Sequence, residues 1–326
     1  MRDHGGNLDA AKAMHGGDGW VDLSTGINRV PWPMPPLPAE ALTTLPTASA
    51  LAGLLAAARA AYDTDRPMVA LAGAQAAIQL MPRLSPPGLV RVLGPTYNEH
   101  AAAFRAVGWR VEEVTHADAL AGADLAVVVN PNNPDGRLLI PDRVLALAGR
   151  VGRLVVDESF ADPLPDASVA AHAGQHGMIV LRSFGKFYGL AGLRLGFALG
   201  AAGDIARLAE MAGPWAVSGP AIHAGSLALR DAAWAAATRD RLVQDAARMD
   251  ALATARGWRL TGGTTLFRLY DTPSAAAAQD ALARHRIWSR IFPWSPTLIR
   301  LGLPGSEAEW AQVTRAFAGL SAGGAG

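Results

Sequence analysis

From about residue 40 to residue 200, short apolar runs alternate with helical stretches, and each conspicuous polar or glycine cluster falls just after an apolar run. The runs at 68–72, 89–93, 110–114, 124–129, 154–156, 178–181 and 195–199 read as strands. The stretches at 50–62, after Gln75, at 99–107 and at 142–148 read as helices. Strands alternating with helices predict an α/β domain with a mostly parallel central sheet and helices on both faces. In such sheets, sites gather at the carboxyl ends of strands. The clusters at 73–75, 97, 130–136, 157 and 183–186 all stand at such ends.

Before this pattern, residues 1–38 are rich in glycine and proline and read as an extended arm or linker. After it, helices at 221–256, strands near 258–260 and 266–269, a helix at 274–285, a segment at 287–292, a strand at 298–301 and a helix at 306–320 form an α+β pattern. The expected division is therefore an arm at 1–38, a large α/β domain at 39–220 and a smaller α+β domain at 221–326. The tail 321–326 reads as disordered.

Half of the 326 residues are hydrophobic and the net charge is +1, with arginines scattered, so a globular chain is expected and nucleic acid is not an expected partner. The absence of cysteine excludes disulfides, thiolate metal sites and thiol nucleophiles. The opening residues lack the apolar core of a signal peptide, and no uncharged apolar run approaches the roughly 18 residues of a membrane span. A cytoplasmic protein is the expectation, with no membrane partner. Nothing points to a metal: among eight histidines, the nearest approach to ligand spacing is His172 and His176, in a region read as exposed.

Of the 29 lysines and arginines only two are lysines, Lys12 and Lys186. An amine can form an imine with a carbonyl cofactor, whereas a guanidinium cannot. Around Lys186 stand groups that would complete such a site. Asp157 ends a buried strand, where a carboxylate needs a cationic partner such as a protonated pyridine nitrogen, although aspartate there also suits a cap. Ser183 and Arg194 suit a phosphate dianion, and Gly73-Ala74-Gln75 opens a helix whose N–H groups suit the same phosphate. Asn133 offers an amide to a ring hydroxyl, and Tyr97 offers a ring to stack or a core filler. Ring, phosphate, carbonyl and hydroxyl together describe pyridoxal 5'-phosphate.

The motifs Asn130-Pro131-Asn132-Asn133-Pro134-Asp135-Gly136, Val156-Asp157-Glu158-Ser159, Ser183-Phe184-Gly185-Lys186 and Leu298-Ile299-Arg300-Leu301-Gly302 resemble those of fold-type I pyridoxal-phosphate enzymes. The subgroup is the one shared by histidinol-phosphate aminotransferases and threonine-phosphate decarboxylases of cobalamin biosynthesis. The resemblance covers nearly the whole chain. It implies a homodimer with sites near the subunit interface and an N-terminal arm over the pocket. Within the subgroup, His4-Gly5-Gly6-Asn7 and Asp22-Leu23-Ser24-Thr25-Gly26-Ile27-Asn28 resemble the decarboxylase branch. That branch implies a role for His4, Gly5 and Asn28 in holding a substrate phosphate. Arg300 matches an arginine that binds the substrate carboxylate, and Arg290 a second substrate arginine. Two departures stand out: Phe160 replaces a tyrosine that donates to the cofactor's ring oxygen, and Leu45 replaces one that reaches the partner subunit's cofactor phosphate.

The expected activity is decarboxylation of L-threonine O-3-phosphate, with Lys186 and Asp157 catalytic. The alternative is an aminotransferase acting on histidinol phosphate or a related amino acid, and a weaker one is a non-catalytic cofactor-binding sensor. Lys186 serves both enzymes equally; the segment from His4 to Asn28 is what favours the decarboxylase.

Overall fold

The computed structural model describes residues 4–320; residues 1–3 and 321–326, the latter read as a disordered tail, lie outside the described residues. The chain forms two compact units, one of residues 31–133 and 137–235, the other of residues 1–30, 134–136 and 236–326.

The larger unit is built on a seven-stranded sheet. Its strands lie in the order Met68–Leu71, Gly196–Leu199, Ile179–Ser183, Leu154–Asp157, Leu125–Val129, Leu89–Leu93 and Arg110–Val114. Only Gly196–Leu199 runs antiparallel to its neighbours; the remaining pairings are parallel. Every residue of Leu125–Val129 and Leu154–Asp157 is buried, which explains their Val/Leu/Ala composition up to the closing Asp157: a central parallel strand is covered on both faces. Part of the core packs Phe104 edge-on against Trp109, at 5.2 Å between ring centroids, with Leu125, Val127, Val155 and Leu181. Trp109 satisfies its indole N–H on the Pro82 carbonyl at 3.0 Å, so the ring is buried without an orphaned donor.

The smaller unit contains an antiparallel sheet ordered Arg290–Phe292, Ser295–Gly302, Phe267–Asp271 and Arg259–Thr264. Helices Ala275–Arg284 and Glu307–Gly319 accompany it. Trp258 packs against Phe317 and Tyr270, and the buried Tyr270 hydroxyl donates to Asp250 at 2.7 Å.

Within the stretch read as an extended arm or linker, Leu8–His15 is a helix, capped where the Asn7 side chain accepts from the Ala10 N–H at 3.1 Å. Val21–Asp22 then pairs in parallel with Ile287–Trp288 inside the smaller unit. The expected boundaries at 38 and 220 both fall within the larger unit. Residues just past Val30 are tied there, with Trp32 bonded through its backbone to Tyr188 and through its indole to Asp231.

Among the described residues, no helix is long and apolar enough to cross a membrane, and no group of three or more histidine, aspartate and glutamate side chains could hold a metal ion.

Candidate active site

Lys186 sits on a one-turn helix, Phe184–Phe187, entered directly from the strand Ile179–Ser183. Phe184 and Phe187 are fully buried, and Phe184 stacks on Tyr188 at 4.5 Å, which stacks in turn on Trp234 at 5.5 Å. This aromatic column anchors the turn, while Lys186 is only half-buried. Its Nζ lies 5.8 Å from the centre of the Phe160 ring.

The next strand delivers Asp157, paired in register with Leu181 and on its other side with Val129. The carboxylate is 2% exposed. One oxygen meets His100 Nε2 at 2.8 Å; the other accepts from the Ser159 N–H at 3.0 Å and the Ser159 hydroxyl at 2.5 Å. Burial raises the pKa of this carboxyl, but the bonds and charge from His100 and the two Ser159 donors outweigh it. Asp157 is therefore held below the usual aspartate range and stays anionic although buried.

His100 belongs to the helix Glu99–Arg105, which opens after the strand Leu89–Leu93. Tyr97 meets His100 edge-on at 6.3 Å and donates its hydroxyl to Gln75 Oε1 at 3.1 Å; Gln75 donates to the buried Glu99 at 3.0 Å. The structure thus gives the Gln75 side chain a bridging role, beyond the backbone role expected for it. His100 did not stand out in the sequence, and Ser159 did so only as the last residue of the motif Val156–Ser159, with no role of its own. The available signal for His100 was its place in the first turn of a helix that begins at a strand end.

Gly73 precedes the helix Ala74–Leu80 with φ of 82°, in the left-handed region that favours glycine. A Cβ there would stand 2.7 Å from the Arg194 guanidinium. Gly196 is the second necessary glycine: a Cβ would collide with the backbone of Gly73 and Ala74. Because Gly196 pairs with both Leu71 and Ser183, this close approach brings Gly73, Ala74, Ser183 and Arg194 to one edge of the sheet. Asn133 lies half-buried in the loop after Val129. That loop is shaped by neighbouring side chains, with Asn130 exchanging two bonds with Leu139 and Asn132 bonded to Thr96 and Pro95.

The donor set of the larger unit suits pyridoxal 5'-phosphate. It offers an amine, a carboxylate kept ionised beside His100, a hydroxyl and guanidinium at a helix start, and an amide. Phe160, 4% exposed, presents a ring and no donor at the position expected to hold a tyrosine, and Leu45 is 64% exposed.

The expected substrate residues lie in the smaller unit. Arg290 and Arg300 are directly opposite in register on adjacent strands. Arg300 is 6% exposed, donates to the Ser24 carbonyl at 2.7 Å and lies over the Phe267 ring at 5.1 Å. Its pKa is pushed down to about 9 by burial first and by Arg290 second, against an opposing pull from Asp22. Ser24 also receives the Gly6 N–H at 2.7 Å and donates to Asp22 at 2.5 Å, and Gly5 runs against the Ser24 carbonyl with no room for a side chain. His4 is exposed beside this turn in sequence. Asn28 is buried, and its side-chain oxygen accepts from Arg241 at 2.8 Å and from the Val30 N–H at 3.0 Å, which anchors the segment.

A sequence profile described as aminotransferase class I and II matches residues 45–317. The chain belongs to the aminotransferase class I and II family. A threonine-phosphate decarboxylase of Pseudomonas aeruginosa is 45% identical over 98% of both chains, and one from a Sinorhizobium species is 42% identical over 97% of both. Among solved structures, a histidinol-phosphate aminotransferase from Sinorhizobium meliloti in complex with pyridoxal-5'-phosphate superposes with a TM-score of 0.80. It shares 21% identity and covers 95% of this chain and 92% of its own, so the two have the same fold.

Proposed function

We propose that this protein is a pyridoxal-phosphate-dependent carboxy-lyase that converts L-threonine O-3-phosphate to (R)-1-amino-2-propanol phosphate and carbon dioxide, a step of cobalamin biosynthesis. The observation that carries the substrate is similarity over 97–98% of the chain to two threonine-phosphate decarboxylases. The observation that carries the cofactor is Asp157, buried and kept anionic at the strand end beside the strand that leads into Lys186.

When bound, pyridoxal 5'-phosphate supplies a carbonyl that reacts with amines and a conjugated ring that takes up the electron pair released at Cα. Lys186 would hold that carbonyl and, after carbon dioxide departs, deliver a proton to Cα. Asp157, backed by His100 and Ser159, would keep the ring nitrogen protonated. Ser183, Arg194 and the N–H groups after Gly73 would hold the phosphate, Asn133 the ring oxygen, and Tyr97 a face of the ring. Phe160 adds no donor to that oxygen, leaving it to Asn133.

For the substrate we assign two anionic groups to the smaller unit. Arg300 and Arg290 would bind carboxylate and phosphate, with His4, Gly5 and the segment anchored by Asn28 completing the phosphate seat. Binding energy from the remote phosphate orients the bonds at Cα, and that orientation decides which of them breaks. A homodimer acting in the cytoplasm belongs to the same reading.

The test is incubation with L-threonine O-3-phosphate under pyridoxal-phosphate saturation, following carbon dioxide and any amino transfer to 2-oxoglutarate. Stoichiometric carbon dioxide supports the proposal. Amino transfer without it would establish the aminotransferase reading instead.

A further inference from the structure

At the strand ends of the larger unit, a second charged cluster lies beside the candidate site without sharing its contacts. Successive side chains of a strand leave on opposite faces. Asp157 meets His100 and Ser159, whereas its neighbour Glu158 meets Arg182, Ser168 and the Val169 N–H. On the adjacent strand, Arg182 stands in the same relation to Ser183. Arg182 donates to Glu158 at 2.8 Å, to Asp162 at 2.6 Å and to Ser168 at 3.3 Å, and its guanidinium lies 4.2 Å from the centre of the Tyr62 ring. Exposure is 3% for Arg182, 0% for Glu158 and 5% for Asp162, so all three charges are buried.

Such a cluster is a poor way to gain stability. Desolvating three charges offsets much of what their attraction returns, and an apolar set of similar volume is often as stable. Among the described residues Arg182 Nε is buried without a hydrogen-bond partner, which adds to that cost. Its position offers a better reason. Pairing between the two strands ends at Asp157 opposite Leu181, with one last bond from the Glu158 N–H to the Leu181 carbonyl at 2.9 Å. Beyond it the backbones separate, one toward Ser159 and Phe160, the other into the one-turn helix of Lys186. The Glu158–Arg182–Asp162 bonds continue the connection where the ladder stops.

We propose that Arg182, Glu158 and Asp162 are positioning residues: they clamp the end of the Asp157 strand to the end of the Ser183 strand and so fix the carboxylate relative to the hydroxyl and to Lys186. This rests on the reading of Asp157, Ser183 and Lys186 as the cofactor seat. Loosening the clamp would leave every cofactor contact chemically present but misplaced, a change that second-layer partners commonly transmit at about tenfold in affinity.

The experiment uses full-length protein in three forms: wild type, the apolar triple replacement Glu158→Leu/Arg182→Met/Asp162→Leu, and Arg182→Lys, whose single ammonium cannot bridge both carboxylates as the guanidinium does. Each is titrated with pyridoxal 5'-phosphate, followed by visible absorbance for the dissociation constant and by circular dichroism of the same band for asymmetry of the seat. Thermal unfolding is recorded in parallel. The expected result for the triple form is an unfolding midpoint at or above wild type, affinity about tenfold weaker and a reduced dichroic band, with Arg182→Lys intermediate. A folded triple form with wild-type affinity and dichroism would overturn the proposal. If the triple form does not fold, the same outcome for Arg182→Lys overturns it. A wild type with no saturable visible band would instead sink the cofactor reading.

Discussion

Asp157 and Arg300 are both charged and nearly inaccessible, yet the protein treats them in opposite ways. Around Asp157, one histidine and one serine supply three hydrogen bonds, and their pull exceeds the cost of burial, so the carboxyl is held down and ionised. Around Arg300, burial and the facing Arg290 outweigh Asp22, so the guanidinium is brought down from its ordinary value to about 9. The first charge is prepared by the protein's own walls. The second is made costly, and an arriving anion would relieve that cost. On the proposed reading this difference has a use: the Asp157 seat would hold a cation-bearing cofactor ring, and the Arg300 seat would gain most when an anionic substrate group enters.

The largest effect expected lies at the lysine. Lys186→Ala should reduce carbon dioxide release by about four orders of magnitude, because no other amine stands in the larger unit to hold a carbonyl or move a proton. Retention of turnover within about tenfold of wild type would remove the chemical reading. Since the side chain is half-buried and the turn is anchored by Phe184 and Phe187, the unfolding midpoint should barely move.

Asp157→Ala should affect stability and cofactor together. It strands the His100 and Ser159 donors in the interior, at a cost of about 1–3 kcal/mol on unfolding. His100→Phe should spare the carboxylate but weaken pyridoxal-phosphate affinity about tenfold, read by absorbance titration. The pH dependence has a definite sign. A depressed carboxyl pKa contributes stability that is fully present above the ordinary aspartate value of 3.8 and is lost as pH falls through the lower folded value. Asp157→Asn should flatten that acid limb of the unfolding profile.

Arg300→Met should do the reverse of Asp157→Ala: stability rises or holds, because a desolvated charge disappears, while KM for phosphothreonine rises about 10–100-fold. Its pH signature is also distinct. Because the folded pKa lies below the unfolded one, stability climbs as pH rises from about 9, whereas affinity for the anionic substrate declines over the same interval. If Arg300→Met instead destabilises the protein and leaves KM unchanged, the contrast between the two charges fails.

The smallest effect concerns the N-terminal helix. Asn7→Ala removes one cap and should cost about 1 kcal/mol of helix stability, without changing cofactor affinity.

Much of the larger unit could be read in advance because strand ends announce themselves in a parallel sheet. The runs at 89–93 and 110–114 match the observed strands residue for residue, and Gly73, Asp157 and Ser183 stand at the ends of the strands read at 68–72, 154–156 and 178–181. The His100–Asp157 contact was not legible, since 57 positions separate the partners and a single histidine on a helix carries no period or spacing. The helix Leu8–His15 was hidden for another reason. Glycines on either side, Gly5 and Gly6 before it and Gly16, Gly17 and Gly19 after it, mask its two turns, and its stability comes from a cap and from packing in the smaller unit. Nor could the sequence reveal that Arg300 faces Arg290 across two strands ten residues apart, which is a matter of register.

The choice between losing carbon dioxide and moving the Cα hydrogen can be read on a single atom. L-threonine O-3-phosphate deuterated at Cα should yield aminopropanol phosphate that retains the deuterium, with one carbon dioxide released per product. Loss of that deuterium to solvent, together with a 2-oxo acid and no carbon dioxide, would contradict the account.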